Sequence, residues 1–98
     1  MAKTGRSPID VYVGGRIRQL RLLRCLSQTD LAEMLGITFP QVQKYERGIN
    51  RVSASRLYEI SRALGASIDY FFDEMPESVA SAPLSGPRGG LPYAKIHN

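Results

Sequence analysis

Between Ser27 and Gly48 the chain reads SQTDLAEMLGITFPQVQKYERG, two short helical patterns with almost nothing between them. Ser27 is followed three residues later by Asp30, a capping-box-like start with an acid at the positive end of a helix. Leu31, Ala32 and Leu35 form its inner stripe, and Gly36 stands where a helix C-terminus takes a left-handed residue. Only Ile37 separates this helix from the next cap, Thr38. Two short helices joined by so tight a turn cannot lie parallel and must cross steeply. This crossing constrains the fold more than any other stretch of the sequence.

The helix after the turn is expected over about Phe39–Arg47, stopping at Gly48. Thr38 can cap it, Gln41 can complete a capping box, and Pro40 falls in the first turn, where a missing N–H costs nothing. A residue before proline avoids helical angles, so Phe39 is the alternative cap. With Val42 at the centre of the buried face and about 100° per residue, Tyr45 and Ile49 join it as core. Pro40, Gln43, Lys44 and Arg47 fall on the opposite side, with Gln41 at its edge. That outward face carries amides and cations and no acid, the groups that hydrogen-bond base edges and phosphates. A merely solvated polar face is the plain alternative. The steep crossing favours the first reading, because a helix-turn-helix presents its second helix to the major groove. Glu46 falls at the buried edge, where a lone carboxylate would cost several kcal/mol. The same construction centred on Ile17 puts Arg21 at the matching edge of the first helix, so an Arg21–Glu46 pair is expected, structural rather than catalytic.

Around this pair of helices the periodicity predicts three more. Val13, Ile17 and Leu20 mark a first helix from Asp10 to near Cys25, weakened by Gly14 and Gly15, which mark either a close backbone approach or tolerated defects. Ser53 caps a fourth helix with inner stripe Leu57, Ile60 and Leu64, closed by Gly65. Ser67 can cap a short fifth one presenting Ile68, Phe71 and Phe72. Tyr70, Phe71 and Phe72 cannot all face one core, so at least one is exposed or at a dimer interface. Residues 1–9 read as a loose arm, 10–75 as the domain, and 76–98, rich in Pro, Gly and Ser, as a flexible tail.

The 98 residues carry a net charge of +4, unevenly spread. Residues 1–62 hold 11 Lys/Arg against 5 Asp/Glu, and residues 63–98 hold 2 against 4, so the first half is the one suited to an anionic partner. A chain this short buries only about 60% of its unfolded surface, which leaves little room for an enclosed active site. The single histidine, His97, adjoins the C-terminus, and no metal-ligand spacing or nucleophile arrangement is present, so neither an enzyme nor a metal or cofactor is expected. No apolar run approaches the roughly 18–20 residues of a membrane span, and with no apolar stretch after the basic residues of MAKTGRSPIDVYVGG a secretory signal is not expected. The lone Cys25 excludes an intramolecular disulfide, suits a reducing cytoplasm, and reads as a small apolar filler near a helix end.

Four segments, IRQLR (17–21), LSQTDLAEMLGIT (26–38), VQKYERGINR (42–51) and LYEISRALGASIDYFF (57–72), resemble the lambda-repressor/Cro-like helix-turn-helix DNA-binding proteins in order and spacing. The resemblance covers about Val13 to Phe72. It implies an all-α, five-helix domain whose helices 2 and 3 form the helix-turn-helix, usually dimeric on a two-fold-related operator. Carried over by position, it puts Phe39, Pro40, Gln41, Gln43 and Lys44 on the recognition surface with Thr38. It puts Gln28, Asn50 and Arg51 on the DNA backbone, where the outward Arg47 also belongs, and it makes Arg21 and Glu46 a structural charge pair. Phe39 and Pro40 depart from the family, which usually carries polar base-reading residues there. The loop GINRVS lacks the proline that relatives often have. The expected function is a sequence-specific regulator of transcription, a repressor rather than an activator, binding double-stranded DNA as a homodimer. The alternative is an antitoxin or adaptor whose tail grips a protein partner.

Overall fold

The computed structural model describes residues 7–83, and these are all-helical with no strand among them. The elements are α1 (Pro8–Leu23), α2 (Gln28–Leu35), α3 (Phe39–Glu46), α4 (Ala54–Leu64), a 3₁₀ helix at Ile68–Phe71 and a one-turn α5 (Glu77–Ala80). The helix α1 starts two residues before Asp10. Ser7 accepts hydrogen bonds from the N–H groups of Ile9 and Asp10, and Pro8 supplies the preset φ of a first turn. Residues 8 and 9 therefore belong to the helix, not to an arm.

Each of α1 to α4 ends in the same way, with a left-handed residue followed by a 6→1 hydrogen bond, the Schellman arrangement. Leu26, Ile37, Ile49 and Ala66 donate to the carbonyls of Arg21, Ala32, Lys44 and Ser61 at 2.9–3.1 Å. The left-handed residue is Gly36, Gly48 or Gly65 in three cases and Cys25, at φ 60°, in the fourth. Cys25 is exposed and serves as a turn residue, which corrects its reading as an apolar filler.

The core takes Val13, Ile17 and Leu20 from α1, Leu31 and Ala32 from α2, Val42 from α3, and Leu57, Ile60 and Leu64 from α4, with Phe71 closing one end. Tyr45 is only half-buried, and Ile49 is 44% exposed instead of core. The helical wheel fails there because α3 stops at Glu46 and the positive φ of Gly48 turns Ile49 off its line.

The three aromatics separate. Phe71 is fully buried and so cannot be an interface residue. Tyr70 is half-buried, edge-on to Phe71, with its ring under the Arg16 guanidinium at 4.0 Å and its carbonyl accepting from Arg16 Nε and Nη2. Phe72 alone is exposed. Ser67 makes no side-chain capping bond. Beyond it, α5 lies within the stretch that composition assigns to the tail, and packs beside α1. Residues 84–98, the rest of that tail and of any partner-gripping role it has, lie outside the described residues, as does His97. No helix among the described residues is long and apolar enough to cross a membrane.

Candidate nucleic-acid interface

The helix α3 is held by contacts on three sides. On the α1 side, Gly14 lets two backbones touch: a β-carbon there would lie 2.3 Å from the Tyr45 carbonyl oxygen and 2.7 Å from that of Glu46. Of the two adjacent glycines only Gly14 serves this approach, since Gly15 faces open space.

Two turns along α1, Arg21 meets Glu46 in a two-pronged pair, Nε to Oε2 at 2.6 Å and Nη2 to Oε1 at 3.0 Å. Both side chains are buried, and Arg21 Nη1 also donates to the Leu26 carbonyl at 2.7 Å. Burying two charges is costly unless they are paired and hydrogen-bonded, and here a third side chain adds a further bond to the carboxylate. Gln28, the first residue of α2, donates its Nε2 to Glu46 Oε1 at 2.9 Å. The Arg21–Glu46–Gln28 network thus ties α1, α2 and α3 together. Gln28, which the resemblance assigns to a phosphate, keeps one amide hydrogen to donate to any such contact.

The entry into α3 is fixed by local chemistry. Thr38 is the cap: its hydroxyl accepts from the Gln41 N–H at 3.3 Å, and Gln41 Oε1 accepts from the Thr38 N–H at 2.9 Å and its hydroxyl at 3.1 Å. The same device starts α2, where Asp30 accepts from the Ser27 N–H at 2.8 Å. That backbone bond, and then the bond to the Ser27 side chain, hold the Asp30 carboxyl below the usual carboxylate range.

From this scaffold a ridge projects. Thr38, Phe39, Pro40, Lys44, Arg47, Asn50 and Arg51 are exposed, and Gln41 and Gln43 are half-buried at its flanks. Between residues 38 and 51 the only acid is the buried, paired Glu46, so the exposed charges are all positive. Arg51 is not solitary, because its Nε donates to Asp10 Oδ2 at 3.0 Å while its side chain stays 70% exposed. Neither the Asp10 contact nor the Gln28–Glu46 bond carries a local sequence signal, since the partners are 41 and 18 residues apart.

Comparison with known proteins places this geometry. The helix-turn-helix family model matches residues 17–71. The uncharacterized HTH-type transcriptional regulator y4aM of Sinorhizobium fredii is 51% identical over 79 residues, covering 81% of this chain and 55% of that protein. The chain spans between 50% and 62% of the length of the first curated relatives it matches. Among solved structures, the restriction-modification controller protein C.AhdI of Aeromonas hydrophila is similar at 34% identity and a TM-score of 0.61, over 63% of this chain and 94% of that one. The P22 c2 repressor, in complex with a synthetic operator, is similar at 30% identity and a TM-score of 0.56, over 60% and 89%.

Proposed function

The chain belongs to the lambda-repressor/Cro-like helix-turn-helix family, and on that premise we propose that it is a sequence-specific, double-stranded-DNA-binding regulator of transcription. The observation that carries this reading is the ridge of α3: an acid-free exposed surface mounted on a buried, hydrogen-bonded charge pair. The helix enters the major groove tip first. Gln43 and Lys44 read base edges with Gln41, and Phe39 packs against a thymine methyl with Pro40 stiffening the tip. Thr38, Arg47, Asn50, Arg51 and the remaining amide hydrogen of Gln28 hold the phosphate backbone.

The functional unit is a homodimer on a two-fold-related site. Its support is an apolar groove of about 470 Å³ lined by Val52, Ala54, Leu57, Tyr58, Ile68 and Phe72, beside which Tyr58 and Phe72 stand exposed. Phe72, not Phe71 or Tyr70, is the aromatic that meets the second copy. The sense of regulation is repression, by likeness to the P22 repressor, and no catalysis is involved.

Fluorescence anisotropy on duplexes selected from a random pool tests the reading. Binding to the selected duplex weakens in Lys44→Ala and Gln43→Ala, and affinity falls steeply with salt. Equal binding of the parent and both variants to selected and random DNA refutes the base-reading assignment.

A further inference from the structure

The Thr38–Gln41 capping box has a consequence for which base this surface accepts. A glutamine reads adenine with both ends of its amide at once, its oxygen accepting from N6 and its nitrogen donating to N7. In this chain the oxygen is already spent. Gln41 Oε1 accepts from the Thr38 N–H at 2.9 Å and from the Thr38 hydroxyl at 3.1 Å, and these bonds start the helix. Its Nε2 has no hydrogen-bond partner among the described residues, so two donor hydrogens and no acceptor are offered at the edge of the exposed ridge. Reaching for adenine in the two-ended manner would require giving up both bonds to Thr38 and leaving an N-terminal N–H of α3 unpaired.

The geometry points to Gln41 as a specificity-determining residue that reads guanine as a donor alone, its Nε2 facing the adjacent N7 and O6 acceptors of one guanine in the major groove. Guanine fits because it is the base that presents two acceptors side by side there. The cap holds the amide in one orientation before DNA arrives, so the choice is built into the helix start. Gln43 makes no such internal bond among the described residues and keeps both ends of its amide. The two glutamines therefore read differently. This assignment rests on the DNA-reading function proposed above.

The test is selection from random duplexes with the full chain and with Gln41→Glu. Glutamate keeps the capping box, because its oxygens accept from Thr38 as the amide oxygen does, but it has no N–H to donate. Matching thermal transitions for the two proteins verify that the cap survives. The added negative charge lowers affinity for every duplex, so the readout is the base preference at each position. The parent is expected to enrich guanine at one position of each half-site. Gln41→Glu is expected to lose that preference by about tenfold while the other positions stay unchanged. A parent preference that persists in Gln41→Glu at every position, or a lost preference for a base other than guanine, overturns the assignment alone. A parent that enriches no sequence overturns the DNA-reading function and this assignment with it.

Discussion

Gly14 of α1 rests directly against the Tyr45 carbonyl of α3, so closely that a β-carbon at residue 14 would lie 2.3 Å from that oxygen. The next residue, Gly15, has nothing within 4 Å of the same construction. Adjacent glycines in one helix should therefore respond to alanine with opposite signs. Gly14→Ala forces backbone apart from backbone and should destabilise by about 1–3 kcal/mol. Gly15→Ala removes a helix-weakening glycine and should stabilise by up to about 1 kcal/mol. Urea unfolding of both variants checks this, and a Gly14→Ala protein as stable as the parent would show that α3 can shift away freely.

The Arg21–Glu46 pair is expected to behave as a unit. Glu46→Ala leaves a buried guanidinium and the Gln28 amide without their acceptor and should cost about 3–5 kcal/mol. Replacing both partners, Arg21→Met with Glu46→Leu, should recover most of that loss, because no charge is then left buried alone. Thermal unfolding of the single and double variants decides it. A double variant no more stable than Glu46→Ala would count against the network.

Cys25 occupies the slot that glycine fills at the ends of α2, α3 and α4. A left-handed conformation costs a residue with a β-carbon roughly 1–2 kcal/mol. Cys25→Gly should recover part of it, offset by the greater chain entropy of glycine when unfolded, for a net gain of about 1 kcal/mol or less. A lower melting temperature for this variant would contradict the account.

Asp30 supplies a pH dependence whose sign follows from its capping bonds. Its folded pKa is depressed below the ordinary 3.8, so the ionised form is bound more strongly in the folded state. The resulting stability is fully present above the unfolded value and is lost as pH falls through the depressed one. The stability difference between the parent and Asp30→Asn should therefore be constant near neutrality and shrink in the acid range. Unfolding curves from pH 7 to pH 3 measure it, and a difference that grows on acidification would have the wrong sign.

Arg47 and Arg51 are assigned to phosphates. Each substitution to alanine should weaken binding to selected and random duplexes alike and lower the salt slope by about one. For Arg51 the effect should be partly masked in the parent by Asp10, so Asp10→Asn should strengthen binding, most visibly at low salt. Anisotropy titrations across a salt series separate these outcomes from base reading, which Lys44→Ala should change without a matching loss on random DNA.

What sequence alone determined here is whatever depends on neighbours within a turn or two of helix. The capping boxes Ser27–Asp30 and Thr38–Gln41, the glycine stops at 36, 48 and 65, and the inner stripes of α1, α2 and α4 are of that kind. Caps and periodicities act over three or four residues, so their chemistry can be read in order along the chain. Even Glu46 announced its need for a partner, since a carboxylate at a buried edge cannot stand alone. What only the tertiary structure decided depends on which helix stands beside which. Gln28 became the third member of the charge network, and Asp10 came to hold Arg51. Phe71 went into the core while Phe72 stayed out, and Ile49 left the face that a continued helix would have given it. The pairings of Gln28 and Asp10 rest on contacts across 18 and 41 residues, which local spacing does not encode.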